Sequence, residues 1–114
     1  MKLLLKNHKA KLLANHLATI AANGDDLNIK PVVKFFGGGA CTWLISEMDE
    51  DGIMFGLCDL GMGFAELGSV DFAELAALRF PPFGLGIERD MYWTAKKTLT
   101  EYADEARDLG RIAA

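Results

Sequence analysis

Three side chains near residue 90 carry groups that bind ligands or move protons in many proteins. Glu88, Asp90 and Tyr92 alternate within Leu85–Trp93, so they share one face if this segment is a β-strand. Glu88 and Asp90 then lie about 7 Å apart, within the roughly 5–9.5 Å that separates paired carboxylates in glycoside hydrolases. No nucleophile, set of metal ligands or placed histidine accompanies them. We therefore predict no catalytic residue, metal site or cofactor, and treat the three side chains as candidate binding residues.

The other face of this segment carries an arginine in an otherwise apolar row. Arg89 occupies the middle of the row, whose apolar members are Leu85, Ile87, Met91 and Trp93. A guanidinium in such a row must be paired or hydrogen-bonded, because an isolated buried charge is very unfavourable. We predict that Arg89 forms a structural ion pair with Glu47 or Asp59, and preferably with Glu47.

A predicted hairpin positions these two carboxylates. Its strands are Cys41–Met48 and Ile53–Leu60, and the connecting turn ends at Gly52 in the left-handed conformation. The turn sets the register, which places Trp43 opposite Asp59 and Glu47 opposite Phe55. The residues expected on the core face are Cys41, Trp43, Ile45, Ile53, Phe55 and Leu57.

The same register separates Glu47 from Asp59. Because Trp43 is four residues from Glu47, the two carboxylates are about 14 Å apart along the strand. That distance is too long for an acid–base pair. Both are therefore expected to be structural residues.

The remaining elements complete an α+β pattern. Helices are predicted over residues 8–22, 71–79 and 98–110, and further strands over residues 31–36, 64–70 and 85–93. The first helix places Leu12, Leu13, His16, Leu17 and Ile20 on the face expected to meet the sheet. Hairpin-linked strands with helices at both ends predict one small domain over residues 1–114. We expect an antiparallel sheet of four to five strands, packed by an N-terminal and a C-terminal helix, with a short inserted helix.

Charge is distributed unevenly along the chain. The net charge is −4, with +4 over residues 1–34 and −8 over the rest, and residues 47–74 hold eight carboxylates and no Lys or Arg. The absence of a globally basic surface argues against a nucleic-acid partner. No run of apolar residues reaches the ~18 needed to cross a membrane, and no secretory signal is evident, so a cytoplasmic location is expected.

Five motifs resemble a known family. They are Val33-Lys-Phe-Phe36, Thr42-Trp-Leu-Ile-Ser-Glu47, Phe55-Gly-Leu-Cys-Asp59, Glu66-Leu-Gly68 and Gly86-Ile-Glu-Arg-Asp-Met-Tyr-Trp93. Over roughly residues 30–102 the chain resembles the bacterial family catalogued as domain of unknown function 2958. The resemblance implies a short protein encoded on plasmids and other mobile elements, with no established activity. It also implies that Trp43, Glu47, Asp59, Glu66 and the Glu88–Asp90 tripeptide occupy motif positions.

Three functions are consistent with these features. The first is a non-enzymatic module that binds a protein partner, with exposed aromatic residues Phe80 and Phe83 and the carboxylate of Glu66 as further binding candidates. The second is a small enzyme or ligand-binding domain that uses Glu88, Asp90 and Tyr92. The third is an inhibitor of a host defence system that acts through an acidic surface. The lack of catalytic groups favours the first and argues against an enzyme.

Overall fold

The computed structural model describes residues 1–114 and contains eight regular elements. They are α1 (Lys6–Ala21), β1 (Val33–Gly37), β2 (Cys41–Met48), β3 (Ile53–Asp59), β4 (Ala65–Asp71), α2 (Phe72–Ala77), β5 (Glu88–Arg89) and α3 (Leu99–Leu109). The strands form one antiparallel sheet in the order β4-β3-β2-β1-β5. The predicted α+β class, with a helix at each end and a short inserted helix, is confirmed. No helix has the length and apolar character needed to span a bilayer.

Both faces of the sheet are buried. One core joins Trp43, Ile45 and Met54 of the sheet to Leu12 of α1 and Leu75 of α2. A second core packs against α3 on the opposite face; its buried members are Leu44, Leu57, Leu99, Tyr102, Ala103, Ala106 and Ile112. Adjacent residues of β2 enter different cores because successive side chains of a strand point to opposite faces.

The hairpin of β2 and β3 has the predicted turn but a shifted register. Gly52 has φ +85°, and Glu47 pairs with Phe55 as expected. A bulge between Ile45 and Glu47 then changes the pairing by one residue, so Trp43 lies opposite Cys58 and not Asp59. A one-residue shift turns the side chains of a strand to the other face of the sheet. Met54 is therefore buried on the face where its neighbours Ile53 and Phe55 were expected. The predicted core residues Ile53 and Phe55 are more than one-third exposed.

Helix α1 is rotated relative to the expectation. Leu12 is fully buried, but Leu17 and Ile20, which were expected against the sheet, are 55% and 62% exposed. The polar side chain of Asn15 faces the sheet in their place, and its Nδ2 donates to the carbonyl oxygen of Ser46 at 2.9 Å. Ser46 is the residue at the bulge, where the ladder is interrupted, so a side chain supplies its carbonyl with a donor. The bulge thereby determines which face of α1 meets the sheet.

Strand β5 is much shorter than the predicted strand over residues 85–93. Only Glu88 and Arg89 pair with β1, opposite Phe36 and Phe35. Ile87 and Arg89 are buried as expected, whereas Leu85 and Met91 at the two ends of the row are 65% and 60% exposed. The alternating pattern therefore describes only the middle of the segment.

Candidate functional site

Arg89 is buried at the edge of the sheet, but no carboxylate accompanies it. Its Nη1 donates to the carbonyl oxygens of Lys2 and Leu3, at 2.8 and 3.1 Å. The four ion pairs of the structure do not include Arg89, so the predicted pair with Glu47 or Asp59 is wrong.

Two causes explain this correction. Arg89 lies opposite Phe35, and Phe35 lies opposite Trp43, so Glu47 is two strands away and four residues further along β2. At about 4.8 Å per strand and 3.4 Å per residue, this separation exceeds the reach of an ion pair. The N-terminal segment crosses the edge instead, and its carbonyl oxygens satisfy the guanidinium, as a buried charge requires.

Glu47 and Asp59 have separate structural roles. The Oε1 atom of Glu47 lies 3.7 Å from Nδ1 of His16 on α1. Asp59 is only 3% exposed and accepts from the backbone N–H groups of Gly61 at 2.8 Å and Ile112 at 2.9 Å. Asp59 thus connects the β3–β4 turn to the residues that follow α3. The two carboxylates do not meet, in agreement with their predicted separation.

The candidate residues Glu88, Asp90 and Tyr92 differ in their surroundings. Glu88 is exposed, and Tyr92 is 93% exposed. Asp90 is partly engaged: its Oδ2 lies 3.9 Å from Nζ of Lys34, and its Oδ1 accepts from the backbone N–H of Tyr92 at 3.3 Å. Because β5 ends at Arg89, the three side chains do not continue along one strand face.

The two aromatic candidates of the loop between α2 and β5 also differ in their surroundings. Phe80 is half-buried, and its ring lies so close to Gly37 and Gly38 that a Cβ at either glycine would be within 2.9 Å of it. The N–H of Phe80 donates to the carbonyl oxygen of Leu85, and its own carbonyl accepts from Gly84, which closes the loop. Phe80 is therefore an anchor rather than the exposed residue that was predicted. Phe83 projects from the loop and is 82% exposed.

Glu66 is remote from the other candidates. It lies on β4, at the opposite edge of the sheet from β5, which is about 19 Å away across four strand spacings. The exposed candidates in the segment around β5 are Phe83, Glu88 and Tyr92, and Leu85 and Met91 of the same segment are exposed as well. We call Phe83, Leu85, Glu88, Met91 and Tyr92 the β5-edge surface.

A cavity adjoins this surface but does not contain its carboxylates. It has a volume of about 390 Å³, and its wall includes Tyr92, Trp93, Lys97 and Tyr102 but neither Glu88 nor Asp90. The Trp93 and Tyr102 rings lie 6.1 Å apart, and Nζ of Lys97 lies 5.7 Å from the centre of the Tyr102 ring. A hydrogen bond from Lys97 to Glu105 raises the pKa of the lysine, which keeps its side chain charged. The sequence did not predict this aromatic cluster, because Trp93 and Tyr102 lie in separate segments of the chain and only the packing of α3 brings them together.

Four of the eight carboxylates in residues 47–74 form hydrogen bonds or ion contacts with other groups of the chain. Asp49 accepts from the N–H groups of Asp51 and Ile53 in the β2–β3 turn, and Asp71 accepts from Ala73 at the start of α2. Glu47 and Asp59 are engaged as described above. No group of three or more His, Cys, Asp or Glu side chains is arranged to hold a metal ion.

His8 was not predicted to have a role, yet it caps α1. Its Nδ1 accepts from the backbone N–H of Leu5, the N-cap residue, at 3.0 Å. Burial and the nearby Arg89 charge both lower the pKa of His8, so the neutral form that accepts this bond is favoured. The signal in the sequence was its place three residues after the cap, where a reciprocal bond to the cap N–H is common.

The fold and these contacts define a small α+β domain with a pinned N-terminal segment and an exposed aromatic edge. The chain belongs to the family described as proteins of unknown function (DUF2958), whose model matches residues 3–113. The match extends well beyond the 30–102 range over which the motifs were recognised. Neither a curated protein nor a solved structure matches the chain.

Proposed function

We propose that this protein is a non-enzymatic interaction module of bacterial mobile elements, and that it binds a protein partner through the β5-edge surface. The observation that carries the proposal is the exposure of Phe83 and Tyr92, at 82% and 93%, on either side of β5. Aromatic side chains of this size are enriched among the residues that dominate binding energy at protein interfaces. Leu85 and Met91 add apolar area to the same edge.

The backbone that carries these side chains is held in place. Phe80 is seated against Gly37 and Gly38 on one side of the loop, and Arg89 is bonded to the N-terminal segment on the other. Fixed positions favour binding because less conformational entropy is lost when the complex forms. The edge therefore has the properties of a preformed recognition surface.

The charge of the surface defines the kind of partner. Glu88 is exposed beside the aromatic residues and takes part in no ion pair. A partner with an apolar pocket rimmed by Lys or Arg would complement it in shape and sign. A protein partner fits this surface better than a nucleic acid does, because the β5-edge surface holds no cation for the phosphates.

A capture experiment from the native host tests the proposal. The wild-type chain should enrich at least one protein that a Phe83→Ser/Tyr92→Ser variant does not retain, and Glu88→Lys should weaken the same capture. Met62→Ser is the matched control, because Met62 is 63% exposed at the distant β3–β4 turn. The proposal fails if the partner is retained by the double variant, or lost equally with the control.

A further inference from the structure

Two adjacent cavities lie beside the segment that joins β5 to α3. The first is the cavity of about 390 Å³ whose wall includes Trp93 and Tyr102. The second has a volume of about 360 Å³, and its wall includes His8 and Lys11 of α1, Lys30 of the segment before β1, and Ala95. Trp93 and Thr94 contribute to the walls of both, so the two cavities adjoin each other. We call them together the Trp93 cavities.

The walls of the Trp93 cavities are cationic, although the chain as a whole is acidic. The chain holds 16 Asp and Glu residues against 12 Lys and Arg, yet no Asp or Glu lines either cavity. Two carboxylates of α3 lie outside the walls: Glu105 pairs with Lys97, and Glu101 accepts from the backbone N–H of Thr98. The other lysines of the walls belong to no ion pair; they are Lys11, Lys30 and Lys96. Three lysines without an ion-pair partner therefore border a space that no carboxylate side chain lines.

Trp93 supplies an aromatic surface that both cavities share. Its side chain is half-buried, packs against the second core and lies 6.1 Å from the Tyr102 ring. That packing fixes the position of the indole, while the part that lines the cavities stays accessible. The neighbouring Tyr92 is exposed and lines the first cavity as well. An accessible indole beside lysine side chains is an arrangement with which proteins bind the bases and phosphates of nucleic acids together.

We propose that the Trp93 cavities bind a nucleotide, whose base stacks on Trp93 and whose phosphate is held by Lys11, Lys30 and Lys96. Both parts of the ligand are needed to account for the walls. An inorganic anion would leave the aromatic surface unused, and an uncharged aromatic molecule would leave the lysines unused. Base stacking on an aromatic side chain and attraction of phosphate to cations are the two components of single-strand recognition. A double helix does not fit the site, because its bases are paired and stacked on one another.

The distribution of charge along the chain did not predict this site. An acidic chain without a globally basic surface argued against a nucleic-acid partner. The tertiary structure nevertheless brings together lysines from three separate segments: Lys11 is on α1, Lys30 precedes β1, and Lys96 follows β5. The site therefore depends on the local charge of the two cavities and not on the net charge of the chain.

The Trp93 cavities are distinct from the β5-edge surface, with which they share only Tyr92. Phe83→Ser should leave nucleotide binding unchanged, because Phe83 lines neither cavity. Lys11→Glu/Lys30→Glu should in turn leave the capture of a protein partner unchanged. Nucleotide binding and partner binding can therefore succeed or fail independently.

Tryptophan fluorescence tests the site directly, because Trp43 is only 3% exposed and Trp93 is the accessible indole. Addition of adenosine monophosphate or a short single-stranded oligodeoxyadenylate should quench the emission of Trp93 to saturation. Tighter binding of the oligomer would assign the site to a nucleic-acid strand, and equal or weaker binding to a free nucleotide; both results support the proposal. Saturable quenching by neither ligand overturns it, as does competition by inorganic phosphate with the affinity of adenosine monophosphate.

Charge reversal tests the contribution of the lysines. Lys11→Glu/Lys30→Glu should weaken nucleotide binding by about 10-fold or more, since it replaces two cations beside the phosphate with anions. Lys6→Glu/Lys9→Glu is the matched control, because it changes the net charge equally at exposed positions of α1 that line neither cavity. At physiological ionic strength the control should change the affinity by less than about 2-fold. Equal losses in the two double variants would show a general charge effect and overturn the site.

Substitution of Trp93 tests the stacking of the base. Trp93→Phe keeps a flat ring, so isothermal titration calorimetry should detect binding within about 3-fold of wild type although the fluorescence signal is lost. Trp93→Leu should weaken binding by about 10-fold or more, while circular dichroism verifies that the variant is folded. If Trp93→Leu does not fold, the lysine variants decide the question, because Lys11 and Lys30 are exposed. Undiminished nucleotide binding by a folded Trp93→Leu variant overturns the proposal.

Discussion

The guanidinium of Arg89 bonds to the carbonyl oxygen of Lys2 at 2.8 Å, so two residues that are 87 positions apart in the chain meet at one edge of the sheet. The backbone N–H of Arg89 is also directed at Sδ of Met1, at 3.2 Å. Leu4, the next buried residue of this segment, is 2% exposed and enters the core beneath α1. The segment before α1 therefore covers the edge of β5, a position where an unpaired strand would otherwise be exposed.

Removal of the guanidinium should release this segment. Arg89→Leu eliminates two hydrogen bonds from a charged donor and leaves the Lys2 and Leu3 carbonyls without partners. We expect a loss of about 2–4 kcal/mol in the free energy of unfolding, measured by urea denaturation. Arg111→Leu, at an exposed position, should change the stability by less than about 0.5 kcal/mol. Equal stability of Arg89→Leu and wild type would show that the two bonds are unimportant.

The cap of α1 should make stability depend on pH. His8 accepts from Leu5 only when Nδ1 is unprotonated, and burial followed by the Arg89 charge lowers its pKa from 6.5. The unfolded chain therefore takes up the proton first, so the contribution of His8 is complete above pH 6.5 and declines as the pH falls toward the folded pKa. Lys11 and Lys30 are the other charged residues that line the cavity beside His8.

Unfolding measured from neutral to mildly acidic pH tests this assignment. The difference in stability between wild type and His8→Gln should shrink as the pH is lowered, since the substituted side chain does not titrate. His16→Gln serves as the control for loss of a histidine elsewhere on α1. If the free energies of unfolding of wild type and His8→Gln differed by the same amount at every pH, the proposed pH dependence would be refuted.

The close approach of β2 and β3 requires a glycine at residue 56. A Cβ placed there would lie 2.0 Å from the carbonyl oxygen of Leu44, which is part of the rigid strand backbone. Gly56→Ala should therefore destabilise the protein by about 2–4 kcal/mol in thermal or urea unfolding. Gly68→Ala is the matched control, because Gly68 lies directly opposite Gly56 on β4 and has open space at its Cβ position. Similar stabilities of the two variants would contradict the observed strand spacing.

Asp59 should be required for the attachment of the chain after α3. Asp59→Ala leaves the buried N–H of Ile112 without its acceptor, at a cost of about 1–3 kcal/mol. Hydrogen exchange should accelerate at Ile112 and Gly61, while the α1 amides remain protected. Asp108→Ala, which changes an exposed aspartate on α3, is the control. If the amide hydrogen of Ile112 exchanged at the same rate in Asp59→Ala as in wild type, Asp59 would not be what holds the chain after α3.

Features that depend on neighbours in the chain were predictable. The left-handed Gly52 occurs as expected, and the capping box of Thr98 and Glu101 and the cap at Asp71 are signals of the same kind, since each involves groups no more than a few residues apart. The motif segments also identified the family. These signals place the elements and give the order in which they occur.

The amino-acid sequence alone thus determined the α+β class, the element order, the burial of Arg89 and the family. The tertiary structure decided which groups bond to Arg89, which side of α1 faces the sheet, and which aromatic residues remain exposed. The physical reason is that a bulge at Ser46 and a crossing N-terminal segment act between residues far apart in the chain. Periodicity places Arg89 in an apolar row and requires that it be satisfied, but carbonyl oxygens and carboxylates satisfy it equally well. Only the packed chain shows that the carbonyls of Lys2 and Leu3 do so.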